Sequence, residues 1–177
     1  MEFLIDAFAL TGTGHLLIVH SGNRGTRDIE RRVARHGLGA RVLLHGPLAP
    51  DDLAGVFARL RFTVAPLMET ARNTWQGCCP VKIVESMAAG TPVIASDLAV
   101  SRELIRDGED GLLAAPGDRR SWALAMERLF HDSALRGRLA ANSFYTARER
   151  FSQSIAHEKL SAVFRAAAAA LPVGGIR

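Results

Sequence analysis

Residues 76–97 read QGCCPVKIVESMAAGTPVIASD. Pro80 suits the first position of a helix, where its missing N–H costs nothing, and Gly90 suits a helix stop. A short helix of roughly ten residues is expected between them, followed by a strand, Pro92–Ser96. The helix begins straight after a long connection that leaves the carboxyl end of a strand, the edge where open parallel sheets bind ligands. A helix tip carries unpaired N–H groups and partial positive charge, which favour phosphate. Lys82 in the first turn can add a full charge. Glu85 lies three residues on, on the same side, where its carboxylate could accept hydrogen bonds from two vicinal hydroxyls of a ribose. The plain alternative is an exposed i,i+3 ion pair worth about 0.2–0.5 kcal/mol. Spacing alone leaves both readings open.

Outward from this stretch, strands and helices alternate, which predicts a parallel sheet with helices on both faces. Upstream come a helix over 2–10, a strand over 15–20, a turn Ser21–Gly25 and a helix over 27–37. A strand over 41–46 and a helix opened by Pro50 follow, then a strand ending at Ala65. The connection Leu67–Cys79 is long for a compact domain, as functional loops often are. Downstream, a helix over 100–108 leads to a short strand and turn within 110–118. An amphipathic helix over 119–130 places Trp122, Ala125, Met126, Leu129 and Phe130 on one face. Ser133 is a candidate cap for the next helix, and a last one runs through Leu160, Val163 and Phe164 into an alanine run. The expected organisation is one domain over 1–150, a terminal helix over 151–170 and a frayed tail over 171–177. The turn Ser21–Gly25, with Gly22, follows a strand and precedes a helix. It could approach a phosphate or be a plain turn, and it lacks the G-x-G-x-x-G pattern.

Composition narrows the classes. Of 22 basic residues only Lys82 and Lys159 are lysine, and the net charge is +4. The arginines are scattered over predicted helices, which argues against nucleic acid as a partner and leaves weak attraction to an anionic membrane surface as the remaining electrostatic role. No apolar run approaches the ~20 residues of a membrane span, and the start lacks a secretory signal pattern. The two cysteines, Cys78 and Cys79, are neighbours, and the six histidines are dispersed, with no metal-ligand spacing. A reducing, cytoplasmic setting is the expectation.

The residues PVKIVESMAAGTPVIASDLAVSRELIRDGEDGLLAAPGD, 80–118, closely resemble the signature of retaining GT-B glycosyltransferases of family 4, in particular their C-terminal, nucleotide-sugar-binding domain. Upstream motifs match in the same order, and the resemblance spans roughly residues 3–165. It implies a Rossmann-like fold and transfer of a glycosyl group from a nucleotide-diphosphate sugar to an acceptor hydroxyl, with retention and without a catalytic metal or other cofactor. By the resemblance Glu85 holds the ribose. Cys78, Cys79, Pro80, Val81 and Lys82 form the loop and helix tip that face the diphosphate and donor sugar. The turn His45–Leu48, with Gly46, meets the base, and Ser21–Asn23, with Gly22, lies beside the donor cleft. A GT-B sugar-nucleotide epimerase fits the pair Lys82–Glu85 less well.

The sequence departs from the family pattern in three places. The E-x7-E motif requires an acid at 77, and this chain has Gly77, so donor-sugar recognition by the segment Gln76–Cys78 does not carry over. The family's first strand of this domain should precede Glu2. The N-terminal domain with the acceptor site is also outside the match. The resemblance therefore implies half of an enzyme, inactive as an isolated chain, and leaves a separate N-terminal-domain chain as one candidate partner. Alternatives are a non-catalytic nucleotide-binding or interaction module, or a truncated gene product. Without a central first strand, two strand edges would stand unpaired, and the sheet must close differently, borrow a strand or stay partly open.

Overall fold

The computed structural model describes residues 2–20, 26–75 and 78–170. In chain order the first half runs α1 (Glu2–Ala9), β1 (Leu16–Val19), α2 (Thr26–Arg35), β2 (Val42–His45), α3 (Pro50–Phe57), β3 (Thr63–Ala65) and α4 (Ala71–Thr74). The second half runs α5 (Val81–Ala88), β4 (Val93–Ser96), α6 (Ala99–Arg102), β5 (Leu112–Ala114), α7 (Arg119–His131), α8 (Ser133–Arg150) and α9 (Gln153–Ala170). All strand pairs are parallel.

Period-two alternation shows that the strands are covered on both faces. In β4, Ile94 joins the core formed with α1, α2 and α7, while Val93 and Ala95 join a second core with Ile83, Met87 and Ala147. In β3, Val64 packs toward the first core and Ala65 belongs to the second. This is the doubly wound arrangement. Near-continuous apolar strands such as Val93–Ala95, each fully buried, are the expected result of cover from two sides.

The sheet is in two pieces. β1 pairs with β2, and β3–β4–β5 form a second ladder, with no strand pairing between β1 and β3 among the described residues. Both pieces nevertheless line one continuous apolar core. Of the three outcomes expected, a partly open sheet is the one seen among the described residues.

Phe130 fixes how the pieces are oriented. Gly14, two residues before β1, sits at φ 84°, and a Cβ there would overlap the Phe130 ring. Phe62, just before β3, stacks edge-on against the same ring at 4.9 Å. The chain just before β1 and the chain just before β3 therefore meet at one ring.

Local boundaries differ from the sequence reading at four points. Pro80 is the cap of α5 and Val81 its first helical residue, a one-position shift. Asp132, not Ser133, caps α8, because its carboxylate accepts the Leu135 N–H at 2.8 Å. The helix expected over 100–108 is a single turn. Beyond Arg102, Leu104 and Ile105 turn into the second core, and Asp110 captures the Arg106 N–H at 2.7 Å. The long connection after β3 contains a helical turn, α4, capped by the Thr70 hydroxyl.

Candidate functional site

α5 is divided by its own periodicity. Ile83, Ser86 and Met87 are fully buried, while Val81, Lys82 and Glu85 are exposed. The buried side is locked by hydroxyls as well as by packing. The Ser86 hydroxyl lies 2.6 Å from that of Thr63 in β3 and donates to the Thr91 carbonyl at 2.8 Å. The Thr91 hydroxyl in turn donates to the Phe57 carbonyl at 3.0 Å. Gly90, at φ 66°, ends the helix in the left-handed conformation that glycine adopts without a Cβ penalty.

On the exposed side Lys82 and Glu85 do not pair with each other, and neither forms an ion pair among the described residues. The plain i,i+3 ion pair is thus not realised. The cap Pro80 offers no side-chain hydrogen bond. The N–H groups of Val81 and Ile83 are taken by the carbonyls of Cys79 and Pro80, both at 2.9 Å. These bonds leave the Lys82 ammonium as the main positive group of the tip.

The approach to α5 is also organised. The Ser96 hydroxyl, at the carboxyl end of β4, accepts the Leu67 N–H at 2.8 Å and donates to the Leu67 carbonyl at 2.7 Å. This two-way clamp fixes the start of the long connection to the end of the neighbouring strand. Next to it, Arg102 grips Asp97 with two bonds of 2.6 and 2.8 Å, and this pairing holds the Asp97 carboxyl below its usual range. Trp75, at the end of α4, is 88% exposed.

The other expected site residues fall as follows. Gly46 follows β2 at its carboxyl end, where the His45 Nδ1 lies 2.9 Å from the Gly46 carbonyl. Cys78 is half-buried, Cys79 is exposed, and both are free. Gly22, Gln76 and Gly77 lie outside the described residues. The clamp ties the start of the connection that leads to the tip of α5 to the carboxyl end of β4. Sequence reasoning missed Ser96, Asp97 and Arg102. Their signal was a polar Ser-Asp pair closing an apolar strand, with an arginine five residues on.

An open hollow of about 640 Å³ lies elsewhere, lined by residues including Asp6, His36, Asp118 and Arg119. Asp6, buried on α1, accepts a fork from Arg32 and a bond from His36 at 2.8 Å. The Arg32 guanidinium, aided by His36 and Arg119, holds the Asp6 carboxyl well below the carboxylate range despite the opposing effect of burial. Its geometry ties α1 to α2 and α7, a structural role.

The fold and the position of the candidate groups define a Rossmann-like α/β domain of the GT-B glycosyltransferase class. The family model described as "Glycosyl transferases group 1" matches residues 1–132, and the chain belongs to that family. It is similar to an alpha-D-kanosaminyltransferase of Streptomyces kanamyceticus, 29% identical over 93% of this chain and 42% of the relative. It is also similar to a D-inositol 3-phosphate glycosyltransferase of Acidothermus cellulolyticus, 31% identical over 95% of this chain and 36% of the relative. Among solved structures it resembles a sucrose-phosphate synthase from Thermosynechococcus elongatus, with TM-score 0.83, 27% identity, and coverage of 96% of this chain and 42% of that one. It further resembles the Anabaena Alr3699/HepE protein in complex with UDP-glucose, with TM-score 0.74, 26% identity, and coverage of 92% and 45%. The chain thus spans less than half the length of these relatives, and its fold is that of the C-terminal GT-B domain.

Proposed function

We propose that this chain binds the nucleotide-sugar donor for a retaining glycosyltransferase and is the donor half of its cleft. The observation that carries the reading is the divided helix α5. One face is locked by Ile83, Ser86 and Met87, and the other offers Lys82 and Glu85 unpaired, one turn apart, at the carboxyl edge of the sheet. In this reading Glu85 accepts two hydrogen bonds from the ribose. Lys82 meets the diphosphate, and Cys79, Pro80 and Val81 form the loop and helix tip beside it. Gly46 lines the side toward the base, and Cys78 faces the donor sugar. Charge at the α5 tip stabilises the departing diphosphate, an electrostatic contribution that is largest in a water-poor cleft. A structural relative carries UDP-glucose in its crystal, which supports a nucleotide-diphosphate sugar as the ligand class.

Glycosyl transfer needs a positioned acceptor as well, and the chain spans less than half of its relatives. The purified chain alone is therefore expected to turn over no nucleotide sugar. It would act as a nucleotide-binding module until joined by a second, acceptor-side domain. Two measurements test this reading. Titration calorimetry with UDP, GDP and ADP and their sugar conjugates should find one preferred base. Lys82→Ala should weaken the diphosphate more than the corresponding nucleoside, because the ammonium is matched to phosphate. Equal losses for both would assign Lys82 to helix structure. Turnover of a nucleotide-sugar pool above a boiled control would refute the half-cleft reading.

A further inference from the structure

The connection between β3 and α5 is more tightly built than a linker requires. The Ser96 hydroxyl holds its start at Leu67 to β4, and α4 within it packs against α6, the turn that follows β4. Inside the connection, the Asn73 side chain donates to the Met68 carbonyl and the Thr74 hydroxyl to the Thr70 carbonyl, both at 2.8 Å. The Thr70 hydroxyl caps α4, and the Trp75 N–H closes it on the Ala71 carbonyl at 2.8 Å. The backbone beneath Trp75 is therefore fixed, while its side chain is the most exposed of the large apolar ones among the described residues. No aromatic ring or guanidinium of those residues stacks on the indole. An ordered turn that presents a bare indole to solvent is preorganised for a flat partner.

The neighbours of Trp75 narrow what that partner is. Arg72 lies three residues before it on the same turn and so projects to the same side. Glu69 comes just before the cap of that turn. Both are exposed, and neither forms an ion pair among the described residues. A pyranose ring has a face of C–H groups and a rim of hydroxyls. The negative face of an indole attracts polarised C–H groups, a carboxylate accepts from hydroxyls and a guanidinium donates to them. Chain reach keeps Trp75 within about 21 Å of Val81 at the α5 tip. In the donor reading the base lies toward Gly46 and the diphosphate at Lys82, which leaves the sugar as the ring for Trp75. Gly77, between Trp75 and the tip, contributes no side chain of its own.

We infer that Trp75 is a stacking platform for the pyranose ring of the donor, with Glu69 and Arg72 as partners of its hydroxyls. This inference rests on the donor-site reading and adds to it the residues that select the sugar.

The test uses the chain's two tryptophans. Trp122 is buried with its indole N–H bonded to the Ala115 carbonyl at 3.2 Å, so acrylamide quenching of fluorescence reports Trp75. The probes are UDP, GDP and ADP, then UDP-glucose, GDP-mannose and ADP-glucose, then methyl α-D-glucopyranoside alone. The expected result is that the conjugate of the preferred base shields Trp75 from acrylamide and the bare diphosphate does not. In calorimetry, Trp75→Ala should weaken that conjugate about 10-fold, leave the diphosphate unchanged and keep the melting temperature, and Trp75→Phe should recover part of the loss. Binding of the conjugate without shielding would overturn the platform. So would an equal loss of conjugate and diphosphate in Trp75→Ala, or shielding by the diphosphate alone, which would give the indole to the base. Shielding by the methyl glucoside but by no conjugate would make the ring an acceptor's and overturn the donor assignment. In each of these cases diphosphate binding that depends on Lys82 and Glu85 still stands. If the wild type binds neither diphosphate nor conjugate, the donor-site reading fails and the platform falls with it.

Discussion

The two pieces of the sheet are built from similar residues and end in different states. β4 is flanked by β3 and β5, and all four of its residues are buried. β1, Leu-Leu-Ile-Val, is as apolar as β4 and pairs with one strand among the described residues, and its burial falls to 39% exposure at Val19. Hydrophobicity does not set the difference. A strand is fully buried only when both edges and both faces are covered, and one edge of β1 is unpaired among the described residues. The contrast also separates two jobs. The closed piece holds α5 against β3 and β4 and so fixes the candidate donor groups, whereas the open piece carries the β2 turn at Gly46.

The largest expected difference is between core residues of the two pieces. Ile94→Ala, in the closed ladder at 0% exposure, should cost about 2–5 kcal/mol of stability. Leu17→Ala, half-exposed on the open edge, should cost about 1 kcal/mol in the same denaturant titration. Equal costs would mean that the open piece is as well packed as the closed one. Next in size is Asp6, which ties α1 to α2 and α7. Asp6→Asn removes the carboxylate shared by the Arg32 fork and His36, leaves Arg32 its Glu2 contact, and should cost about 2 kcal/mol near neutral pH. The folded Asp6 carboxyl lies below its ordinary value of 3.8, so its stabilisation is complete above that pH and is lost as pH falls through the folded value. Acid melts of Asp6→Asn should accordingly show a flatter decline below pH ~4 than the wild type.

Smaller still is the clamp at the candidate site. Ser96→Ala frees both the N–H and the carbonyl of Leu67 and should cost about 1–2 kcal/mol. Limited proteolysis should then cut the connection after β3 faster than in the wild type while β4 stays protected. The smallest effect belongs to Trp75→Ala. With 88% of the residue exposed, stability should move by no more than about 0.5 kcal/mol, and a larger loss in a thermal melt would reveal a packing role.

Much of this architecture was legible in the sequence because it is written in local periodicities. Alternating strand and helix patterns, Pro50 at a helix start, Gly37 and Gly90 at helix ends, and the face of Trp122, Met126 and Leu129 all depend on residues a few positions apart. The motif around α5 pointed to Lys82 and Glu85 for the same reason, and their exposure on one face follows from the spacing of Ile83, Ser86 and Met87. What the sequence hid was long-range. The Ser96 clamp joins residues 29 apart, and the Thr63–Ser86 hydroxyl pair joins residues 23 apart. No pattern in either segment announces such a partner. The single-turn α6 was over-extended because Leu104 and Ile105 continue a helical apolar pattern yet are drawn into the core by tertiary packing. Pro80 and Asp132 each shifted a boundary by one position, the usual uncertainty of helix ends.

The donor-site reading rests on one carboxylate facing outward from a fixed helix, and it is tested most directly at that atom group. Titration calorimetry of the wild type and Glu85→Gln against UDP, GDP and ADP isolates the ribose contact, because the substitution keeps shape and removes charge. The expected result is binding of one preferred diphosphate by the wild type and a loss on the order of 1–3 kcal/mol in the variant, with unchanged thermal stability. Equal affinity of the two proteins for that diphosphate, with the same melting temperature, would contradict the assignment of Glu85 to the ribose and with it the placement of the donor on α5.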